Sequence, residues 1–244
     1  ITEECIIVTN LILDIYKDLG FENVILKYAD RPEVRVGEDD IWDKAEKTLE
    51  KVLKKRKMKF KINKGDGAFY GPKIDFHIKD SQKRTWQTST IQLDFSMPER
   101  FNLEYTSKDN KKERPIMLHR VIYGSLERFI GVLLEEKNGN LPTWLSPIQV
   151  RVLSFTDRNI KAAEKVLKQL REAGIRVDSD FESTTIGDKV RNAELMKIPY
   201  MVTIGDKEEK TKQVAVRKRG ERKLTTQAPE NFIENLKKEI ENRK

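Results

Sequence analysis

The sequence predicts an α/β protein of two domains: an α+β domain built on an antiparallel sheet, then a smaller mixed-sheet α/β domain. The length of 244 residues fits one or two domains of about 100–200 residues each. Short strands separated by turn residues run from residue 58 to 118, a pattern typical of an antiparallel sheet. A break rich in proline and glycine at residues 138–147 is followed by alternating strands and helices. We therefore expect domains at residues 1–143 and 144–244.

The helices of the first domain are predicted from apolar residues that recur every three to four positions. The first of these stripes ends just before Gly20, a residue type common at helix C-termini. The predicted elements, in order, are a helix at Glu4–Leu19, a strand at Asn23–Tyr28, a helix beginning at Asp39 or Asp40, the strand segments KFKIN, KIDFHI, RTWQTSTIQLDF and PIMLHRV, and a helix at Ser125–Glu136. The side chains expected to face inward from that last helix are Leu126, Phe129, Ile130 and Leu133.

The second domain shows strand and helix patterns in the order β-α-β-α-β-β-α, which predicts a small mixed sheet covered by helices. The last two strands are predicted to be joined by a charged hairpin. The predicted strands are Gln149–Phe155, Ile175–Phe181, Tyr200–Ile204 and Gln213–Arg219, and the predicted helices are Asn159–Ala173, Ile186–Lys197 and Pro229–Lys244.

Composition excludes several classes of protein. Hydrophobic residues make up 37% of the chain and charged residues 36%, and no apolar run approaches the roughly 18 residues of a membrane span. The single cysteine, Cys5, excludes an internal disulfide framework and a cysteine-based zinc cluster within the chain. It favours a reducing compartment, so we expect the cytoplasm, and the mitochondrion stays open as well.

The charge is distributed unevenly. The net charge is +8, and residues 151–244 hold 22 basic against 16 acidic side chains, so most of the excess lies in the second domain. The densest basic stretch is residues 216–223. A basic surface attracts phosphate backbones, but an ordinary solvated face explains the composition equally well.

The segment PIMLHRVIYGSLERF, residues 115–129, is the richest candidate for chemistry. It reads as a strand, then Gly124, then a helix that places Ser125 and Arg128 on one face. An arginine one turn into such a helix can direct its planar guanidinium at a phosphate. A surface ion pair with Glu127 is the alternative from the residues alone.

Two further segments are candidates for a ligand pocket. In GAFYGPK, residues 67–73, the glycines permit close backbone approach and Lys73 suits phosphate or carboxylate, although a plain hairpin loop explains the pattern better. The strand WQTSTIQ, residues 86–92, carries polar side chains on both faces. A polar face on a central strand is costly unless it lines a pocket.

Taken together, these segments resemble one family. YGPKIDF, WQTSTIQLDF, MPERFNLEY and HRVIYGSLERFIG occur in an order similar to that of the threonyl-tRNA synthetases. The opening TEE, RPEVRVG and DDIWDKAEKTL resemble the preceding part of the same catalytic domain. PTWLSPIQV, AGIRVDSDF, IGDKVR and IPYMVTIGDKE resemble the family's anticodon-binding domain. The resemblance covers essentially the whole chain and implies a class II synthetase fold.

The resemblance implies an activation pocket for ATP and amino acid. Arg128 matches the arginine that contacts the ATP phosphates, with Ser125 beside it. Tyr70 and Lys73 match residues that line the aminoacyl-adenylate pocket. The residues implied to face that pocket from one strand are Gln87, Thr90 and Gln92, and those implied to be catalytic are Arg128, Lys73 and Gln87.

Strict alternation along this strand would place Gln87 and Gln92 on opposite faces, so a bulge or bend between them is expected. Thr88 and Ser89 replace a smaller pair that is common in the family, and Ser89 is expected to add bulk near the pocket.

The resemblance also implies a zinc ion that binds threonine. His119 matches one of three zinc ligands, and the other two would lie upstream of this chain. By itself His119 is better explained as a structural histidine. His77 and Cys5 match no ligand and are expected to be structural.

The implied activity is ATP-dependent activation of threonine, with Mg²⁺, and transfer to tRNA(Thr). Glu208 and Arg217 match residues that recognise the anticodon.

A homodimer is implied for the parent enzyme, whose dimer motif would lie upstream. Because residue 1 is isoleucine, we expect the chain to be part of a longer protein. Because it would hold only one wall of the pocket and one of three zinc ligands, we expect it to be catalytically incompetent alone. Two alternatives stay open: a class II synthetase of the proline, glycine or histidine type, and a non-catalytic tRNA-binding relative.

Overall fold

The computed structural model describes residues 1–55 and 57–243, and the chain forms two compact units, Ile1–Glu136 and Lys137–Lys244. The predicted fold class is confirmed. The predicted domain boundary at residues 143/144 falls in a turn-rich stretch near the start of the second unit. Within the described residues, no helix combines the length and apolar character that crossing a membrane requires.

Unit 1, residues 1–136, contains the longest helices and a five-stranded sheet. Its elements are α1 (Thr2–Asp18), β1 (Ile25–Ala29), α2 (Asp39–Lys55), β2 (Phe60–Asn63), β3 (Lys73–Lys79), β4 (Thr85–Asp94), α3 (Ser96–Arg100), β5 (Tyr105–Thr106), β6 (Lys112–Glu113), β7 (Met117–Val121) and α4 (Leu126–Glu136). The short α3 and the β5–β6 ribbon were not predicted from the sequence.

The large sheet of unit 1 has the strand order β2-β1-β3-β4-β7. Its neighbours pair antiparallel except β1 and β2, which pair in parallel. The prediction of an antiparallel sheet is therefore right for every pair but that one. The parallel pair follows from the connection, since α2 returns the chain to the end of the sheet from which β1 started.

Helices cover one face of this sheet. α1 contacts α2 and β4, and the ring of Tyr16 stacks on Phe129 of α4 with centroids 6.2 Å apart. Phe129 and Leu133 are buried as predicted, but the prediction for Leu126 and Ile130 was wrong, because they are 58% and 52% exposed. The α4 helix packs through a narrower stripe than its apolar residues suggest.

Unit 2, residues 137–244, is a mixed sheet with helices on both faces. Its elements are β8 (Val150–Ser154), a 3₁₀ turn (Asp157–Asn159), α5 (Ile160–Glu172), β9 (Val177–Asp180), α6 (Ile186–Leu195), β10 (Tyr200–Ile204), α7 (Asp206–Thr211), β11 (Val214–Lys218), β12 (Leu224–Gln227) and α8 (Pro229–Glu241). The β10–β11 connection was predicted as a hairpin but contains the short helix α7, and β12 was not predicted.

The sheet of unit 2 has the order β12-β11-β10-β8-β9, with β8 parallel to both β9 and β10. Residues of α5 and α8 pack against one face, and Ala193 of α6 packs with Leu153 and Met201 on the other. Both faces of the central strands are therefore buried, as their continuous apolar sequences require.

Candidate functional site

A bulge in β4 determines which side chains of unit 1 share a face. Phe76 of β3 pairs with Ser89, whereas the next residue, His77, pairs with Gln87. Thr88 is therefore the extra residue of a β-bulge. As a result Gln87, Thr90 and Gln92 all lie on the open face of the sheet, opposite the helices, and the expected bulge between the two glutamines is present.

The open face of the sheet borders a cavity of about 470 Å³. Its lining residues come from three strands and the loop before them: Asp66, Gly67, Ala68, Lys73, Gln87, Thr90, Gln92, His119 and Val121. Five of the residues implied by the family resemblance are among them, although they are spread over almost fifty positions of sequence. The structure therefore brings Lys73, Gln87, Thr90, Gln92 and His119 together at one site.

Asp75 is the hydrogen-bonding centre of this face. It is 1% exposed and accepts hydrogen bonds from Gln87 Nε2 at 2.8 Å and Thr90 Oγ1 at 2.7 Å. Lys73 Nζ lies 3.0 Å from its other oxygen and 3.7 Å from Asp66. The charge of Lys73 is thus already balanced by carboxylates, and Gln87 and Thr90 are held in fixed orientations.

Tyr70 contacts two residues of this cavity, Gln92 and His119, although it lines a separate groove itself. The Tyr70 hydroxyl donates to Gln92 Oε1 at 3.0 Å, and the Tyr70 and His119 rings meet edge to face with centroids 6.0 Å apart. Gln92 and His119 are directly opposed across β4 and β7. The loop carrying Tyr70 passes so close to β4 that a Cβ on Gly71 would lie 1.6 Å from the Leu93 carbonyl oxygen, which explains the glycine.

Arg128 is anchored to the bulged strand. Its Nη2 donates to the Gln87 carbonyl oxygen at 2.9 Å, and its guanidinium lies 6.0 Å from the Trp86 ring centroid. Gly124 has φ +64°, and a Cβ there would lie 3.2 Å from Arg128 Nη2. The Ser125 hydroxyl accepts from Arg128 N at 3.4 Å and donates to Glu127 at 2.8 Å. Ser125 therefore serves here as a local helix-start contact, and the ion pairs of the described residues do not include the alternative one between Arg128 and Glu127.

Thr88 and Ser89 point away from the cavity, contrary to the expectation that Ser89 adds bulk there. Both hydroxyls hydrogen-bond Tyr16 Oη on the helix side, and that Oη donates to the Ile122 carbonyl oxygen at 2.9 Å. Ser89 is fully buried. Burial raises the pKa of the Tyr16 phenol, so it stays neutral and holds α1 to the bulge.

Two buried carboxylates of the site, Asp75 and Asp94, were missed at the sequence level. Asp94 is 2% exposed and lies 2.9 Å from His119 Nε2. The available signal was an acidic residue inside each of two apolar strands, KIDFHI and QLDF, at a position that alternation assigns to the polar face. His77, which was expected to be structural, is buried, and desolvation lowers its pKa, as does the charge of Lys27.

In unit 2 the predicted anticodon residues lie apart. Glu208 is in the first turn of α7 and its Oε2 accepts from Gly205 N at 3.1 Å. Arg217 is paired with Met201 on the face of the sheet that α6 covers. Its Nε is buried and has no hydrogen-bond partner within the described part of the chain. Glu208 lines a groove that does not include Arg217, and the described residues show no ion pair between the two.

The basic stretch of unit 2 is only partly free. Arg219 donates to the carbonyl oxygens of Leu141, at 3.1 Å, and Lys197, and burial lowers its pKa. It therefore ties loops of unit 2 together. Lys218 lies 5.6 Å from the Tyr200 ring centroid, while Arg222 and Lys223 are exposed.

The fold and the site define a class of protein. The chain belongs to the class II aminoacyl-tRNA synthetases: residues 2–137 match the tRNA synthetase class II core domain (G, H, P, S and T), and residues 149–239 match the anticodon binding domain. Within this class the predicted resemblance to the threonyl-tRNA synthetases is confirmed by similar proteins. A threonine–tRNA ligase of Clostridium tetani is 49% identical over 243 residues, covering 100% of this chain and 38% of that protein.

Solved structures of aminoacyl-tRNA synthetases are also similar to this chain. The RNA binding domain of threonyl-tRNA synthetase from Cryptosporidium parvum is 38% identical with a TM-score of 0.93, covering 97% of this chain and 60% of that one. Prolyl-tRNA synthetase from the same organism, 19% identical with a TM-score of 0.63, covers 99% of this chain and 47% of that one and shows the shared fold alone. The chain spans about 38% of the length of the relatives it matches.

Proposed function

We propose that the chain belongs to an enzyme that activates threonine with ATP and transfers it to tRNA(Thr). It would contribute one wall of the activation pocket and the anticodon-binding domain. The observation that carries the proposal is the single cavity that gathers Lys73, Gln87, Thr90, Gln92 and His119 from separate segments. Activation here would depend on positioning and electrostatic stabilisation, because a carboxylate can attack the α-phosphate without a covalent enzyme intermediate.

Each residue of the proposed activation pocket would have a role that follows from its chemistry. Arg128, held by the Gln87 carbonyl group, would bind ATP phosphate through its remaining N–H groups. Tyr70 and Gln92 are bonded to each other and can orient the amino acid. Lys73, held between Asp66 and Asp75, would line the pocket of the aminoacyl adenylate. Mg²⁺ would accompany ATP.

The donor chemistry of His119 fits one zinc ligand, since one imidazole nitrogen bonds a buried carboxylate and the ring lines the cavity. When bound, zinc supplies an electrophilic position for the amino and hydroxyl groups of threonine, which valine cannot satisfy. The described residues contain no cluster of three or more His, Cys, Asp or Glu that could hold a metal ion. As the family resemblance implies, His119 would be one ligand of three, and for that reason we expect the chain alone to show no threonine-dependent pyrophosphate exchange.

For unit 2 we propose anticodon recognition by Glu208 and Arg217. A carboxylate can accept from a base N–H group, and an arginine can bond a base edge or stack on it. Arg222 and Lys223 would supply sequence-blind phosphate attraction. The longer enzyme would be a homodimer and would be located in the cytoplasm, with the mitochondrion as the alternative compartment.

The test of this proposal is binding of two anticodon stem-loops, one with the threonine anticodon and one with its last two bases changed. Arg217→Ala should lower the discrimination by about 1–3 kcal/mol. Lys223→Ala is the matched control and should weaken both RNAs equally while flattening the salt dependence. An unchanged affinity ratio in Arg217→Ala would reject base readout by Arg217, and equal affinity of the wild-type chain for both RNAs would favour a non-specific tRNA-binding relative.

Arg128→Lys in the longer enzyme tests the activation half of the proposal. Lysine cannot reproduce a planar bidentate contact, so threonine-dependent pyrophosphate exchange should fall by about 100-fold or more with the fold intact. Arg120→Lys, on the exposed end of β7, is the matched control. Wild-type exchange rates in a folded Arg128→Lys enzyme would reject the phosphate role.

A further inference from the structure

The Asp94–His119 contact determines which nitrogen of the histidine is available to a ligand. Asp94 is the last residue of β4, and its carboxylate has both oxygens engaged. Oδ2 lies 2.9 Å from His119 Nε2, and Oδ1 accepts from Met97 N at 3.0 Å. The side chain is 2% exposed. An ionised carboxylate only accepts hydrogen bonds, so Nε2 must be the nitrogen that carries the proton.

A neutral imidazole has one N–H group, so a proton on Nε2 leaves a lone pair on Nδ1. Nδ1 makes no hydrogen bond to the described residues, and the side chain is 39% exposed at the edge of the cavity. The ring is confined by Asp94 at one nitrogen and by the edge-to-face contact with Tyr70. The imidazole is thus fixed in orientation as well as in tautomer.

We propose that Asp94 is a positioning residue that presents His119 Nδ1 to the cavity as a metal-binding lone pair. The identity of the metal as zinc rests on the proposed function, whereas the contact itself does not. A histidine oriented by a buried carboxylate is the arrangement that raises ligand basicity at metal centres. Asp94 would touch neither substrate nor metal and would act only through His119.

The first test is nitrogen-15 NMR of the purified chain, which contains only two histidines. At alkaline pH, His119 should be fully in the Nε2–H tautomer, because Nε2 faces the Asp94 carboxylate. Its Nε2–H resonance should be protected from exchange, and its absence in His119→Gln assigns it. A wild-type spectrum with the proton on Nδ1, or with a mixture of tautomers, overturns the proposal without any variant.

Asp94→Asn sharpens the result. Its amide oxygen can keep the bond from Met97 N, which turns the amide N–H₂ toward His119 and makes Nε2 an acceptor. The tautomer should therefore invert, as expected when a carboxylate behind a histidine is replaced by an amide. Asp75→Asn is the matched control. Asp75 is another buried carboxylate of the same face, but it does not contact His119, so this substitution should leave the tautomer unchanged. An Nε2–H tautomer in folded Asp94→Asn contradicts the proposal.

The second test is zinc affinity in the longer enzyme, measured by competition with a chelator. Asp94→Asn should weaken zinc binding by about 10–100-fold, and Asp75→Asn should leave it near wild type. Equal affinity in wild type and Asp94→Asn overturns the positioning role. Because the tautomer is measured in the metal-free chain, it is independent of function: a wild-type enzyme that activates no threonine would reject the proposed function but not this contact.

Discussion

The two units hold their predicted functional residues in opposite ways. In unit 1 these side chains lie on neighbouring strands and bond to one another, through Asp75 and through the Tyr70–Gln92 pair. In unit 2, Glu208 caps its own helix and lines a groove that does not include Arg217. A small ligand demands polar groups fixed together before it arrives, whereas a large RNA can contact groups that lie apart. The difference indicates two kinds of site in one chain.

The largest expected effect tests whether each unit has its own core. Trp42 in α2 and Phe232 in α8 are 1% and 4% exposed, so truncation of either to alanine should cost about 3–5 kcal/mol of unfolding free energy. Hydrogen exchange should show Trp42→Ala destabilising amides of β1 and β3, and Phe232→Ala those of β10 and β11. Equal deprotection of both sheets by either variant would contradict separate cores.

A smaller effect compares two glycines that share a left-handed backbone. Gly124, beside the unit 1 site, has φ +64°, and Gly220 in unit 2 has φ +77°. Gly220→Ala should cost only the backbone strain of about 1–2 kcal/mol, because nothing lies within 4 Å of the added Cβ. Gly124→Ala should cost more, since the Cβ meets Arg128 and the Thr88 carbonyl oxygen. Urea unfolding of both variants measures the difference, and equal losses would show that the contacts at Gly124 relax freely.

The smallest effect is a pH dependence confined to unit 1, which holds both histidines. The pKa of His77 is lowered by burial, so the folded state favours the neutral ring. Its contribution to stability is complete above the unfolded pKa of about 6.5 and is lost as the pH falls below that value. Hydrogen exchange of β3 should therefore accelerate between pH 7 and pH 5 relative to unit 2, at matched intrinsic rates. His77→Gln should reduce that acceleration, and an unchanged profile would remove His77 as its source.

Much of this architecture could be predicted because it depends on local pattern. The predicted helices at Glu4–Leu19 and Asn159–Ala173 agree closely with α1 and α5, since each has a continuous apolar stripe. What could not be predicted depends on tertiary contacts. The exposure of Leu126 and Ile130 reflects how much of α4 the sheet and α1 can reach, which helical periodicity cannot specify.

The candidate site of unit 1 also has features that follow from local sequence pattern and features that depend on tertiary contacts. Five of its residues were identified through motifs, and their shared cavity follows from adjacent strands. Asp75 and Asp94 were missed because a buried carboxylate is recognisable only when its partners are known. The inward-facing Ser89 was likewise misjudged, since the bulge and Tyr16 decide its direction.

The bulge at Thr88 makes the length of this strand matter more than the identity of the bulged residue. Gln87 and Gln92 are separated by an odd number of positions, and only the extra residue lets both face the cavity. Inserting one more residue between them, with the bulge kept, would exchange the inward and outward sets on one side of the insertion, much as a frameshift changes every codon that follows it. Removing Thr88 itself would restore strict alternation and keep both glutamines on one face. A side-chain replacement at Thr88 would instead stay local. Evolution of this pocket is therefore freer to vary the residue at the bulge than to lengthen the strand between the two glutamines.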